Sequence, residues 1–199
     1  MEKKIRQPQQ DRSTEKKNRI IRASYEVFAE VGYYAANTAE IAKRAGVSTG
    51  IVYSYFKDKR DILQYVIKIY IDEVSKPLME IMTITEDKLD LERLIPLIID
   101  KTIEIHQKNA HLHNALHALE STDNGVNSAF LSLEEHVTKN LSDAFARANM
   151  QIENPKEKIH LAMNMIQSFA HESVYDKHDY IDYKAMREIV IKTLLNIFK

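Results

Sequence analysis

The chain contains no cysteine, only four glycines and four prolines among 199 residues, and no long apolar run. Lacking cysteine, it can hold no disulfide framework, no thiolate metal site and no thiol nucleophile. Glycine and proline together make up about 4% of the residues, against roughly 12% in an average protein. So few turn-forming residues argue against an all-β sandwich and for long helices with few connections. No apolar stretch approaches the roughly 20 residues that span a bilayer, so no membrane partner is expected. The opening Met1-Glu2-Lys3-Lys4 is charged with no apolar segment behind it, which is not the pattern of a secretory signal. A glycine-rich phosphate loop and a Gly-x-Ser-x-Gly elbow are missing, and a single Glu-x-x-His stands where a di-iron bundle needs two. These absences point away from catalysis, a metal or another cofactor, and towards a cytoplasmic, all-α protein.

What the chain does have is charge, unevenly placed. It carries 28 Lys+Arg against 29 Asp+Glu, a formal net charge of −1. Residues 1–63 hold 13 basic and 8 acidic side chains, whereas residues 64–199 hold 15 and 21 together with all eight histidines. A basic head on an acidic body suggests that the head meets a polyanion while the body does something else.

Residues 1–15 are polar and include Lys3, Lys4, Arg6, Pro8 and Arg12, the composition of a flexible basic arm. From Lys16, apolar residues recur at three- and four-residue steps (Ile20, Ala23, Val27, Phe28, Val31, with Ser24 in the same stripe) until Gly32 ends the helix. Asn37 or Thr38 caps a short second helix with Ile41 and Ala42 inward and Gly46 as its stop. Ser48 caps a third, from Thr49 to about Phe56. A fourth starts near Asp58 and runs to Pro77 or Met82, with Ile62, Leu63, Val66, Ile67, Tyr70 and Val74 inward. Further helices are expected at Asp87–Gln107 (kinked at Pro96, or starting near Arg93), around Leu112–Leu119 with a break at 121–125, at Ala129–Met150, from Pro155 to about Tyr175, and at Ile181–Phe198.

The second and third helices, joined by Ala45-Gly46-Val47-Ser48, match a helix-turn-helix. The tight turn needs Gly46, because a residue with a Cβ resists positive φ. Val47 is expected to plug the crevice between the helices, and Ala42 is small enough to let their backbones approach.

The residues carry a more specific resemblance. Ile20-Ile21-Arg22-Ala23, Phe28, Gly32-Tyr33, Thr38, Ile41-Ala42, Ala45-Gly46-Val47-Ser48, Gly50, Tyr53, Tyr55-Phe56, Lys57, Lys59 and Leu63 closely resemble the N-terminal domain of TetR-family transcriptional regulators, with spacing intact over about residues 16–63. Two departures are small: Asn37-Thr38 stands where a Thr-Thr pair is commoner, and Ser24 where Ala is. The resemblance implies an N-terminal three-helix domain with a helix-turn-helix and a larger C-terminal helical domain for ligand binding and dimerisation. The expected organisation is an arm at 1–15, a DNA-binding domain at 16–58 and a sensing and dimerisation domain at 59–199.

In that arrangement the third helix enters the major groove, exposing Thr49, Gly50, Ile51, Tyr53, Ser54 and Tyr55. Gly50 lets the backbone approach, Thr49 and Ser54 can bond base edges, and Ile51 can touch a thymine methyl. Tyr53, Tyr55, Thr38, Lys57 and Lys59 are candidate phosphate contacts. Tyr53 has a competing reading as core against Phe28, and Lys57 as a solvated lysine. The arm could follow the minor groove or make no contact at all.

One helix-turn-helix reads one half-site, so a homodimer on an inverted-repeat operator in double-stranded DNA is expected. The last helix is apolar nearly all round, and a helix with two apolar faces must bury both. Met163, Ile166, Phe169, Ala170, Ile189, Val190, Leu194 and Ile197 are the expected dimer interface, with an ordinary monomer core as the alternative. Tyr70, His106, His117, Phe130, His136 and Met165 are polar or polarisable groups on otherwise apolar helices, suited to a small hydrophobic or amphipathic effector. The leading reading is a repressor released by such an effector. Two alternatives remain: a nucleoid-associated or cell-division protein without a sensor, and a metal-binding protein using His113, His117 and Glu120, which share one helix face at i, i+4 and i+7.

Overall fold

The computed structural model describes residues 9–83 and 89–199. Among the described residues there are nine α-helices and no strand: α1 (Gln9–Ala35), α2 (Thr38–Arg44), α3 (Thr49–Tyr55), α4 (Lys59–Thr83), α5 (Leu91–Lys108), α6 (Ala110–Glu120), α7 (Asn124–Arg147), α8 (Pro155–Tyr175) and α9 (Tyr183–Ile197). The all-α fold expected from the scarcity of turn formers is the one observed. No helix is long and apolar enough to cross a membrane among the described residues.

The chain divides into two compact units, and the division is not at residue 58. Among the described residues, the first unit comprises 9–70 and 111–126; the second comprises 71–83, 89–110 and 127–199. Thus α4 and α7 each begin in the first unit and continue into the second, and α6 belongs almost wholly with the head. Residues 9–15, expected within the arm, form the first turns of α1, while residues 1–8 lie outside the described residues.

In the first unit, the α1 stripe buries Ile20, Ala23, Val27 and Phe28. Ser24 is fully buried at 0% exposure, and its hydroxyl donates to the Ile20 carbonyl at 2.8 Å, which satisfies it within the helix. Packing stops before the apolar pattern does: Val31 is 53% exposed. At Gly32 the backbone turns to φ 74°, a left-handed value that a glycine adopts without strain, and the helix kinks. Ile62, Leu63, Val66, Ile67 and Tyr70 of α4 and Leu112, Leu116 and Leu119 of α6 are buried in the same unit.

In the second unit, Ile95 and Ile99 of α5, Ala162, Ile166 and Phe169 of α8, and Val190, Ile191 and Leu194 of α9 form one buried cluster. Arg187 of α9 closes its edge with a two-pronged ion pair to Asp100 of α5, Nε to Oδ1 at 2.8 Å and Nη2 to Oδ2 at 2.7 Å. Asp90 caps α5 by accepting from the Arg93 amide at 3.2 Å, so the helix starts at Leu91 with Pro96 in its second turn. Gly125, expected to break the chain between helices, instead sits in the first turn of α7. The connection is only Ser121–Asp123, because Asp123 caps α7 through the amides of Gly125 at 2.8 Å and Val126 at 3.2 Å.

Candidate nucleic-acid interface

Local chemistry sets the α2–turn–α3 geometry. The Asn37 side chain caps α2 by accepting from the Glu40 amide at 2.9 Å. The other end closes as a Schellman motif: the Gly46 amide donates to the Lys43 carbonyl at 3.1 Å and the Val47 amide to the Ala42 carbonyl at 3.0 Å. That closure needs a left-handed residue, and Gly46 supplies φ 65°. The Ser48 hydroxyl then caps α3 by accepting from the Ile51 amide at 3.4 Å. Ile41, Ala42, Val52 and Phe56 are buried behind the motif, and Val47 is half-buried.

The opposite side of α3 faces outward. Thr49, Gly50, Tyr53 and Ser54 are exposed, and Ile51 and Tyr55 are half-buried. Tyr53 is 54% exposed, so its competing reading as core fails. Its hydroxyl lies 3.0 Å from the Thr38 Oγ1 at the start of α2, which brings two expected phosphate contacts to one point. The Tyr55 hydroxyl sits 3.1 Å from the Ser13 Oγ, so the first turns of α1 border the end of α3. The Ser54 hydroxyl donates to the Ile51 carbonyl at 2.7 Å and keeps acceptor capacity outward. An added Cβ at Gly50 would meet nothing nearer than the Ser48 Oγ at 3.9 Å, so the chain's own packing does not demand glycine there.

Lys59 departs from expectation. Its ammonium donates to the carbonyls of Tyr33 at 2.6 Å, Ala36 at 2.7 Å and Tyr34 at 3.3 Å, and lies 4.5 Å from the Tyr33 ring centroid. A lysine has three donors, and here three carbonyls at the end of α1 take them. Burial holds its pKa below the usual lysine value. In this structure Lys59 fastens α1 to α4 instead of presenting its charge to a phosphate; Lys57 remains exposed.

The expected dimer residues need a larger correction. Ile166, Phe169, Ala170, Val190 and Leu194 are buried within the chain itself, and Ile197 packs against the same cluster. Helix α5 supplies the surface that a partner was expected to supply. The Met163 sulfur lies 3.9 Å from the Thr138 hydroxyl of α7, so it too faces its own unit. Of the eight, Ile189 alone is exposed, at 63%. Leu161 of α8, 52% exposed, was not singled out in the sequence; it interrupts the buried stripe and reads there as noise.

The expected pocket residues are divided between the units. In the first, Tyr70 is buried, with its hydroxyl 2.6 Å from the His113 Nδ1. His117 is exposed and meets the Glu120 carboxylate at 2.9 Å. In the second, Phe130 and His106 are buried, and the His106 Nδ1 lies 2.8 Å from the Thr102 carbonyl. His136 is exposed, 3.0 Å from the Asn140 amide nitrogen, and Met165 lies against the buried cluster. Tyr175 donates to the His106 carbonyl at 2.7 Å, and burial pushes its pKa up to about 12, which keeps it a donor. Of the residues in the metal alternative, the His113 Nδ1 lies beside the Tyr70 hydroxyl and the His117 Nδ1 beside the Glu120 carboxylate, with the two imidazole centroids 4.2 Å apart. One polar group went unnoticed in the sequence: the Ser142 hydroxyl of α7 is buried with no hydrogen-bond partner among the described residues. Serines in helices are too common for that position to stand out.

Comparison with known proteins agrees with this geometry. The profile described as "Bacterial regulatory proteins, tetR family" matches residues 20–66. The chain is 35% identical over 82 residues to the fatty acid metabolism regulator protein of Bacillus subtilis, a match covering 41% of each chain. Matches to curated relatives span 25% to 41% of those proteins' own length. A solved structure from Mesorhizobium loti, assigned to the TetR family of transcriptional regulators, superposes with a TM-score of 0.76 at 18% identity and covers 94% of this chain and 96% of that one. The fatty acid degradation regulator FadR of Bacillus halodurans superposes with a TM-score of 0.63 at 20% identity, covering 96% and 97%. The helix-turn-helix region is thus similar in sequence to the TetR family of bacterial regulatory proteins, and the helical order of the chain has the fold of solved structures assigned to that family.

Proposed function

We propose that the protein is a homodimeric, sequence-specific DNA-binding transcriptional repressor that an amphipathic effector releases from an inverted-repeat operator. The observation that carries this reading is the outward face of α3, polar and exposed while its inner face is buried. Gly50 serves close approach to DNA, since the fold has no other need of glycine there. Thr49, Ile51 and Ser54 read bases, while Thr38, Tyr53, Tyr55 and Lys57 hold phosphates and set the register. Replacing Tyr53 by Phe is expected to weaken binding to all sequences about three- to tenfold, the cost of one hydroxyl contact. Replacing Thr49 by Ala is expected to relax preference at one base position instead. Binding titrations against selected and scrambled duplexes separate the two; equal losses for both variants on both duplexes would contradict this division.

Dimerisation in this reading uses the outer faces of α8 and α9, centred on Leu161 and Ile189. Each is a large exposed apolar side chain on a helix whose other side is filled.

The effector reading rests on the second unit. There Thr138, Asn140 and Ser142 of α7 place polar groups beside the soft, apolar Met163 and Met79, with the Asn140 amide 3.9 Å from the Met79 sulfur. That mixture suits a long apolar chain with a polar end, and two similar proteins are by name regulators of fatty acid metabolism or degradation. Saturated fatty acids and their esters of graded chain length, titrated into the protein–DNA complex, are expected to dissociate it more strongly as the chain lengthens. Dissociation independent of chain length, or none with any member, contradicts the effector class. Ser142→Ala is expected to preserve or raise thermal stability, since its buried hydroxyl has no hydrogen-bond partner among the described residues, and to weaken the response to the effector.

A further inference from the structure

We propose that Asp123 is a positioning residue whose carboxylate fastens α6 and the first turn of α7 to α4, making residues 111–126 part of the body that carries the recognition helix. Its Oδ1 accepts from the amides of Gly125 and Val126 and from the Arg60 Nη2 at 3.3 Å, and its Oδ2 faces the Arg60 Nε at 3.1 Å. One side chain therefore closes the start of α7 and binds the first turn of α4. The Asp123 side chain is 13% exposed and that of Arg60 60%, so the carboxylate is sheltered while solvent screens the guanidinium, and the two amides at the α7 cap carry much of the anchoring.

Neighbouring contacts tighten the same junction. The Thr122 hydroxyl lies 3.3 Å from that of Tyr34 in the last turn of α1. The Gln64 amide, one turn along α4 from Arg60, occupies the space beside Gly125, where a Cβ would stand 2.7 Å from it. Val126 is wholly buried. Successive residues at the start of α4 thus reach two different elements, Lys59 the carbonyls ending α1 and Arg60 the carboxylate beginning α7. Burial raises the Asp123 pKa, but the amides of Val126 and Gly125 and the Arg60 guanidinium outweigh it and hold the carboxyl below its ordinary value. A depressed carboxyl keeps its contribution above the ordinary range and loses it as pH falls through the lowered value, so the pair stays charged from neutral to mildly acidic pH.

The role in DNA binding rests on the reading proposed above, whereas the fastening itself concerns the free protein. Asp123→Asn keeps an acceptor for the α7 cap and removes the charge, whereas Asp123→Ala removes both. Hydrogen–deuterium exchange resolved to peptides is the readout. In the free protein, Asp123→Asn is expected to speed exchange across 111–126 about two- to fivefold while α1–α3 and the second unit stay as they were. The double exchange Arg60→Asp with Asp123→Arg is expected to restore part of that protection without the cap. In the parent protein, a duplex selected for binding is expected to slow exchange at 111–126, and less so in Asp123→Asn. Unchanged exchange at 111–126 in the asparagine variant, or a rise spread evenly over the chain, overturns the proposal. Should no duplex bind, the DNA reading falls, while the free-protein measurement still decides the role of Asp123.

Discussion

Lys59→Met is expected to lower the melting temperature by roughly 4–8 °C, a loss of about 2 kcal/mol. The side chain keeps its length and apolar stem but loses the ammonium that three carbonyls of the α1 terminus share. Helix ends leave carbonyls without intrahelical partners, and the kink at Gly32 adds to that demand. Lysine suits the post because its tetrahedral ammonium can aim three hydrogens in three directions, where arginine offers a flat fork. Lys59→Arg is therefore expected to recover only part of the stability. Thermal melts of the two variants and the parent decide the matter. If Lys59→Met melts with the parent and loses only DNA affinity, Lys59 is a phosphate contact and the structural assignment is wrong.

Ile189→Glu is expected to produce a monomer and to cut affinity for an inverted-repeat duplex roughly a hundredfold or more. The substitution is harmless to the isolated chain, because Ile189 is 63% exposed and points away from the cluster that buries Val190, Ile191 and Leu194. In a two-fold dimer it introduces two carboxylates into one apolar seam, and a buried unpaired charge costs several kcal/mol. A single head on a single half-site forgoes the gain in effective concentration that linked heads enjoy. Sedimentation or light scattering reads the assembly, and a parallel binding titration reads the affinity. Leu161→Glu is expected to act in the same direction. Val190→Glu is expected to unfold the second unit instead, because that residue belongs to the chain's own core.

The contrast between Ile189 and Val190 shows where sequence reading stops. A period of three to four apolar residues says that a helix face is covered, not what covers it. Helix α9 carries apolar residues on more than one side, and those on its more regular stripe pack against α5 and α8 of the same chain. The turn at Ala45–Ser48 was legible in full, because its determinants are local: a glycine at positive φ, a capping serine and two small or apolar plugs. Lys59 and Asp123 were not legible in that way. Each acts through groups 23 to 26 or 63 residues distant in sequence, and no local pattern announces a carbonyl cluster or a guanidinium brought near by folding. Gly125 misled for a related reason. It reads as a helix breaker, yet the cap supplied by Asp123 let α7 begin before it.

The central claim, that the outer face of α3 reads a duplex on behalf of a two-fold assembly, is tested most directly by selecting bound duplexes from a random pool with the purified protein. The account predicts an inverted repeat, with base preferences that weaken at one position in each half when Thr49 becomes Ala. Recovery of no enriched sequence, or of sequences that Tyr53→Phe and Thr49→Ala bind as tightly as the parent, would contradict it.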